Sequence, residues 1–341
     1  AHHERGLQIW GVKKAWEHVE HRLAPYQTVV TAVIANRARL DGIEVLVQQP
    51  SRQEEELAYL QETVRASYSQ MEDVRGRVLE LLHHLVHRLG YKKRTELALA
   101  IVQQVEQEGH FPQAHYAFDH GVLSLELSRG IEHAGKHWVS ELECSRHIQW
   151  QGQWHRVDAV AQAWRQAHPE SFRAVRVRCR NGETKSFWVF TKVVRLKRYG
   201  RKRLVIVHEQ QDLGDPPRFL LTDALHWDSG RVMETWSYRW AAEIFHEFGK
   251  QVTGLEAAQV RKEEAVKRHF RLSCVAQSLL QQASASGSAT ERFAFAQGDI
   301  TIGQRVRTIA RDALKSLLKL VEQLLAQGHS CAHILEVLMP A

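Results

Sequence analysis

Segments with helical periodicity alternate with short apolar segments along the middle of the chain, and this order limits the fold more than any other feature. A helix is predicted over 95–108, because apolar residues follow helical spacing there, at Leu97, Ile101, Val102 and Val105. A strand is predicted over 114–118, a helix over 122–135 and a strand over 137–142. This alternation indicates an α/β fold.

A more β-rich segment follows over 145–217. Residues 173–180 alternate so that Arg176, Arg178 and Arg180 share one face, and Asn181-Gly182 is a strong hairpin signal. Two further strands are predicted over 187–196 and 204–208. The chain therefore divides into four predicted parts, which are 1–144, 145–217, 218–280 and a linker with a helical region over 281–341.

The positive charge of the chain is concentrated in the β-rich segment. The 341 residues carry a formal net charge of +7, but twelve of the Lys and Arg residues lie between Ser171 and Arg203, where Glu183 is the only acidic residue. Such a field is typical of a surface that binds a polyanion such as nucleic acid. The alternative is a strand surface that the charges merely keep solvated.

Composition excludes several classes of protein. With 44% hydrophobic and 25% charged residues, the chain is unlike a disordered, collagen-like or membrane-embedded protein. It has no apolar run of the roughly 18 residues that a membrane span needs and no apolar signal core. Its four cysteines form no CxxC pair, which indicates a reducing, cytoplasmic setting without a zinc site or a disulfide framework.

One predicted helix, over 235–252, carries an ordered stripe of side chains. At 100° per residue the stripe falls within about 60° on one side of the helix, and it consists of Trp236, Arg239, Glu243 and Lys250. The opposite side is apolar and is predicted to pack on a core. By periodicity alone, Arg239 and Glu243 could equally be an ordinary i, i+4 ion pair on a solvated face.

The spacing of this stripe resembles a known signature. Trp236-x2-Arg239-x3-Glu243-x6-Lys250 is similar to the Tyr-x2-Arg-x3-Glu-x6-Lys pattern of insertion-sequence transposases with an Asp/Asp/Glu triad, with Trp in place of Tyr. Phe118-Asp119 resembles the strand end that bears the second aspartate of that family. Similar segments occur at 136–142, 188–192 and 254–270, so the resemblance covers about residues 90–280.

The resemblance implies a fold, a chemistry and partners. The fold would be an RNase H-like mixed sheet flanked by helices, interrupted by a β-rich insertion and followed by a C-terminal helical region. Asp119 and Glu243 would be catalytic residues and ligands of two Mg²⁺ or Mn²⁺ ions, whose preference is for carboxylate oxygens. The partners would be double-stranded DNA and a second copy of the chain, in the bacterial cytoplasm at the nucleoid.

Further residues are predicted to hold DNA. By resemblance, Arg239 and Lys250 would bind phosphates near the cleavage site, and Trp236 would contact the backbone without the hydroxyl of the family's Tyr. Trp188 would stack on an unpaired base, or else is a strand residue buried against the sheet. The basic segment adds Arg176, Arg178, Arg180, Lys192 and Lys197.

The first aspartate of the family pattern has no counterpart in the sequence. No Asp precedes Asn36, and Asp41 is predicted to lie in a turn, where Asp-Gly is expected for local reasons. We therefore expect that the sequence begins downstream of that aspartate. Two functions follow, namely a transposase that cleaves and joins DNA, or a catalytically inactive DNA-binding relative that acts as a regulator or domesticated protein.

Overall fold

The computed structural model of the chain describes residues 9–17, 21–36, 40–49, 61–66, 72–89, 91–178, 184–282 and 302–339. The strands in these ranges are β1 (Val12–Glu17), β2 (Arg22–Gln27), β3 (Val29–Ala35), β4 (Leu40–Val47), β5 (Tyr116–Phe118), β6 (Trp138–Glu141), β7 (His147–Trp150), β8 (Gln153–Arg156), β9 (Arg173–Arg178), β10 (Thr184–Leu196), β11 (Gly200–His208) and β12 (Arg218–Thr222). Residues 61–66 are helical, and the longer helices are α1 (Glu72–Leu89), α2 (Arg94–Glu108), α3 (Leu125–His133), α4 (Val157–Ala167), α5 (Ser229–Ser237), α6 (Trp240–Gln251), α7 (Glu263–Gln282), α8 (Ile302–Ala326) and α9 (Cys331–Leu338).

Eight of these strands form one mixed sheet. Its order is β5-β6-β12-β11-β10-β7-β8, and β9 pairs with the first half of β10. β5 and β6 are parallel, with Phe118 beside Ser140, and the other pairs are antiparallel. The predicted α/β class, with a mixed sheet flanked by helices, is confirmed.

The alternation of side chains along the strands gives this sheet two apolar faces. On one face, Leu204 and Ile206 join a core with helices α2, α3 and α4. On the other, Val205 and Val207 join a core with Val232 and Met233 of α5. Helices therefore cover both faces of the sheet, and successive residues of a strand pack alternately against one face and the other.

Two shorter β-hairpins are separate from the main sheet in the described residues. β1 pairs with β2, and β3 pairs with β4 across a register shift at Ala32/Val33. Asp41 lies within β4, opposite Ile34, so its prediction as a turn residue is wrong. The strand extends because Leu40 is fully buried and forms its first pair with Ala35.

The β3–β4 hairpin is covered by α6 and α7, and a third core lies between them. Ala241 and Phe245 of α6 and Phe270 of α7 are buried there against Leu40. Gly42 makes this packing possible, because a Cβ at that position would lie 2.7 Å from Cζ of Phe245. The docking of α6 thus depends on a glycine in a neighbouring strand.

Several local predictions are confirmed. Helix α2 buries Leu97, Ile101, Val102 and Val105 and ends at Gly109, which has a φ of 67°. Asp228 or Ser229 is predicted from its residue type to cap a short helix, and Asp228 does cap α5 by accepting a hydrogen bond from the Arg231 N–H. These elements follow from sequence because their signals lie within the elements themselves.

The β-rich segment 145–217 is neither a separate sheet nor purely β. Its strands belong to the same sheet as β5, β6 and β12. It also contains helix α4, which was not predicted and which buries Val160 and Trp164. The hairpin at Asn181-Gly182 lies outside the described residues, although β9 and β10 pair on either side of it.

Apolar residues at helical spacing over 306–326 predict a helix that Gly328 ends. Helix α8 confirms it, and Gly328 follows the helix with a φ of 83°. Several of its leucines are exposed in the described chain, including Leu314, Leu317 and Leu318. Among the described helices, none combines the length and the apolar character that a membrane-spanning segment requires.

Candidate functional site

The predicted signature residues lie at a corner between two helices. The prediction of one helix over 235–252 is wrong, because α5 ends at Ser237 and α6 begins at Trp240. The connection is a tight helical turn in which the Arg239 N–H donates to the Trp236 carbonyl, 2.9 Å away. The break has a packing cause, since α5 lies on the main sheet whereas α6 lies on the β3–β4 hairpin.

This corner brings Trp236, Arg239 and Glu243 together. The Arg239 guanidinium lies over the Trp236 ring, 4.9 Å from its centroid, and its Nη1 pairs with the Glu243 carboxylate. Glu243 sits in the first turn of α6, where the helix dipole favours a negative charge. The i, i+4 ion pair is therefore formed, and Arg239 links the aromatic ring to the carboxylate.

Lys250 lies in the last turn of the same helix, apart from this trio. Its ammonium pairs with Glu256 at 3.0 Å. The lysine remains half-exposed, so binding of a phosphate there would compete with Glu256. The predicted apolar side of the helix is only partly buried, because Ala241 and Phe245 are enclosed whereas Trp240 is 59% exposed.

Between Glu243 and Lys250 lies His246, which fastens α6 to β3. Its Nε2 is 2.6 Å from the hydroxyl oxygen of Thr31. Burial lowers the pKa of His246, and the charge of Lys250 lowers it further, whereas Glu243 acts in the opposite direction. The imidazole is therefore held in its neutral form by the packing of α6.

This contact predicts a pH dependence of stability. Because the pKa of His246 is lower in the folded than in the unfolded chain, the unfolded chain binds protons first as the pH falls below about 6.5. The free energy of unfolding should then decrease. His246→Gln should reduce this loss, as measured by urea unfolding at pH 7.5 and pH 5.5. An equal loss in the wild type and the variant would contradict the assignment. Some pH dependence of the unfolding free energy should remain in the variant, because burial also lowers the pKa of His115.

Asp119 lies at the carboxyl end of β5, as predicted. Its Oδ1 accepts a hydrogen bond from the Gly121 N–H at 2.9 Å, and its carbonyl accepts one from Ser140 at 3.4 Å. The side chain is exposed. The Gly121 contact orients one carboxylate oxygen, and the residue stands at the edge of the main sheet.

Glu141 lies next to Asp119, and sequence reasoning did not single it out. β5 and β6 are parallel and pair Phe118 with Ser140, so Asp119 and Glu141 occupy equivalent positions at the ends of adjacent strands. Glu141 Oε2 is 3.9 Å from Nδ1 of His120. The strand register, which the sequence does not specify, is what brings these two carboxylates to one edge.

The predicted DNA-binding arginines of β9 are exposed. Arg176 and Arg178 share one face of the strand, whereas Val177 is buried on the other, which confirms the predicted alternation. Arg180 lies outside the described residues. The exposed pair stands opposite Ser186 and Thr184 of β10, so small polar residues flank it.

On β10, Lys192 is exposed and its ammonium lies 5.0 Å from the centroid of the Trp164 ring. Trp188 is half-buried and packs against the core beneath the same face. Its placement is that of a strand residue packed on the sheet, which was the second interpretation of this tryptophan. Lys197 is exposed in the loop after β10.

Two members of the basic segment have structural roles. Lys202 is mostly buried and pairs with Glu132 of α3 at 3.0 Å. Arg203 donates to the Leu225 carbonyl through Nε and to Thr191 through Nη1. The field available to an external anion is therefore smaller than the charge count of the segment indicates.

Asp119 and Glu243 are the predicted ligands of a metal ion. Within the part of the chain that the structure describes, no three His, Cys, Asp or Glu side chains are arranged to hold a metal. Mg²⁺ is commonly held by one or two carboxylates together with substrate phosphates and water. The carboxylates of Asp119 and Glu243 are therefore the type of ligand that this ion prefers. Comparison with protein-family models and with curated proteins finds no match to this chain.

Proposed function

We propose that the chain is a DNA transposase of the Asp/Asp/Glu type, which cleaves DNA and joins strands at transposon ends. The observation that carries the proposal is the corner between α5 and α6. There Arg239 contacts both Trp236 and Glu243, and the three residues are spaced as in the transposase signature. A tryptophan, an arginine and a carboxylate so arranged suit a site that holds a phosphate beside a metal ion.

On this proposal the core is RNase H-like, and Asp119 and Glu243 hold the catalytic Mg²⁺ or Mn²⁺ ions. The two ions would stabilise the attacking and leaving oxygens of a phosphodiester. Arg239 pairs with Glu243 in the free chain, and it would hold a DNA phosphate when Glu243 binds a metal ion. Lys250 similarly exchanges Glu256 for a phosphate.

The exposed cations of β9 and β10 support double-stranded DNA as the partner. Arg176, Arg178 and Lys192 carry their charges at the surface of the main sheet. Val177, between the two arginines, is buried in the core, so the strand presents both arginines to solvent. We propose that this surface holds the DNA backbone through phosphate contacts.

A homodimer is part of the same proposal. The exposed leucines of α8, among them Leu314, Leu317 and Leu318, form an apolar stretch on a helix of 25 residues. A second copy of α8 would remove this surface from water, and the two DNA ends of a transposition reaction need at least two active sites.

The second candidate is a DNA-binding relative that does not cleave. The ion pair between Arg239 and Glu243 favours it, because a carboxylate already neutralised by a guanidinium is a weaker metal ligand. The basic surface serves both functions equally. The two candidates therefore differ in cleavage and agree in DNA binding.

The test is to measure binding and nicking on the same DNA. We expect affinity for a double-stranded fragment to fall at least about a hundredfold between ~50 and ~200 mM salt, because phosphate contacts dominate. The transposase proposal expects nicks that need Mg²⁺ or Mn²⁺ and disappear with a chelator. Binding without nicking supports the second candidate, and a lack of salt-dependent binding contradicts both.

A further inference from the structure

A cavity of about 240 Å³ opens at the surface between two loops of the main sheet. One wall is the turn between β6 and β7, and the other is the loop between β10 and β11. The residues that line it are Glu143, Ser145, Arg146, His147, Lys197 and Arg198. The two loops are joined by a hydrogen bond from the Lys197 N–H to the His147 carbonyl, at 3.0 Å.

The lining of this cavity is cationic. Arg146, Lys197 and Arg198 contribute three positive charges, and Glu143 contributes one negative charge. Glu143 forms an ion pair with Arg146, whose Nη2 lies 3.2 Å from a carboxylate oxygen of Glu143. Two cations in the loop are then left to face the cavity, together with the hydroxyl of Ser145.

Arg146 also holds an unused donor. Its Nε is buried, and among the described residues it has no hydrogen-bond partner. A buried donor without an acceptor costs free energy, so the contacts with the described residues do not satisfy the Arg146 guanidinium fully. An arginine that pairs with Glu143 through Nη2 still carries other N–H groups that can donate to an oxygen of a ligand.

Arg198 is held in an unfavourable backbone conformation. Its φ is 78°, in the left-handed region that side chains other than glycine rarely adopt. Gly200, two residues later, also has a positive φ, of 73°. Strain retained at a charged residue is a common property of binding sites.

We propose that this cavity is a phosphate-binding site in which Arg146 and Arg198 contact the oxygens of the anion. Two guanidinium groups and a lysine match the charge and the planar donor geometry that phosphate recognition uses. The identity of the ligand rests on the proposed function, which makes it a backbone phosphate of double-stranded DNA.

The experiment uses two variants of the site and one control. Arg146→Gln removes the unused donor. Arg198→Gly removes a charge and relieves the backbone strain, so its thermal unfolding midpoint should not fall. Arg311→Gln removes the same charge from the exposed face of α8 and serves as the control. DNA affinity is measured over a salt series, and inorganic phosphate is titrated while the Nε–H resonance of Arg146 is followed by NMR.

We expect each site variant to weaken DNA binding about fivefold and to reduce the salt slope by about 0.9, the loss of one phosphate contact. Arg311→Gln should leave the slope unchanged. In the wild type, inorganic phosphate should shift the Arg146 resonance saturably, and Arg198→Gly should weaken that titration.

Three outcomes distinguish a failure of the phosphate site from a failure of the proposed function. Equal loss of affinity in all three variants, or no saturable shift with either phosphate or DNA, overturns the site. A saturable shift with inorganic phosphate in a chain that binds no DNA supports the phosphate site and rejects the proposed function. Loss of affinity confined to the two site variants, with an unlowered unfolding midpoint in Arg198→Gly, supports both.

Discussion

Replacing Glu243 with Gln is expected to lower DNA cleavage by about a thousandfold while DNA affinity stays within about twofold. The amide keeps the size of the side chain and one acceptor oxygen but removes the charge that would hold a divalent cation. A thousandfold loss corresponds to about 4 kcal/mol of transition-state stabilisation. The measurement is single-turnover nicking of a labelled duplex in Mg²⁺ and in Mn²⁺.

Two further variants separate this role from that of an ordinary ion pair. Arg239→Gln breaks the same pair with Glu243 and should cost less than about 0.5 kcal/mol of stability, because i, i+4 pairs are weak. Glu247→Gln removes an exposed carboxylate from the same helix and should leave cleavage unchanged. If Glu243→Gln and Glu247→Gln behave alike, Glu243 is not a metal ligand.

Replacing Phe245 with Ala is expected to lower the free energy of unfolding by about 3–5 kcal/mol. The ring is 1% exposed and fills the core between α6, α7 and β4, where it lies against the backbone of Gly42. Its removal leaves a cavity that the hairpin and the two helices have no side chain to fill. Because Phe245 is two residues from Glu243, cleavage should fall in the same variant.

The matched control is Trp240→Ala on the same helix. Trp240 is 59% exposed, so its truncation should change stability by no more than about 0.5 kcal/mol. Denaturant unfolding of the two variants under one condition provides the comparison. A loss of similar size in both would show that α6 is not anchored through Phe245.

Much of the secondary structure could be predicted because its signals are local. The apolar spacing in α2, the glycine that ends it and the alternation of valine and arginine in β9 each act within a few residues. Such patterns bury one face of an element whatever lies opposite. The elements that were missed, such as α4, have weaker boundary signals and depend on the sheet beneath them.

The break between α5 and α6 could not be predicted from periodicity. The chain keeps helical dihedral angles through Arg239, so the spacing of the signature survives. The two helices nevertheless belong to different cores, because Met233 packs on the main sheet and Phe245 packs on the β3–β4 hairpin. Which core each helix joins depends on tertiary contacts that periodicity does not contain.

The sequence by itself determined the α/β class, the basic segment and the spaced residues that include Asp119, Arg239 and Glu243, since composition and periodicity are properties of the chain alone. Only the tertiary structure decided that Glu141 stands beside Asp119, and that Arg146 and Arg198 line one cavity. Strand register and loop contacts join residues far apart in sequence, and their energies depend on partners that no local pattern specifies.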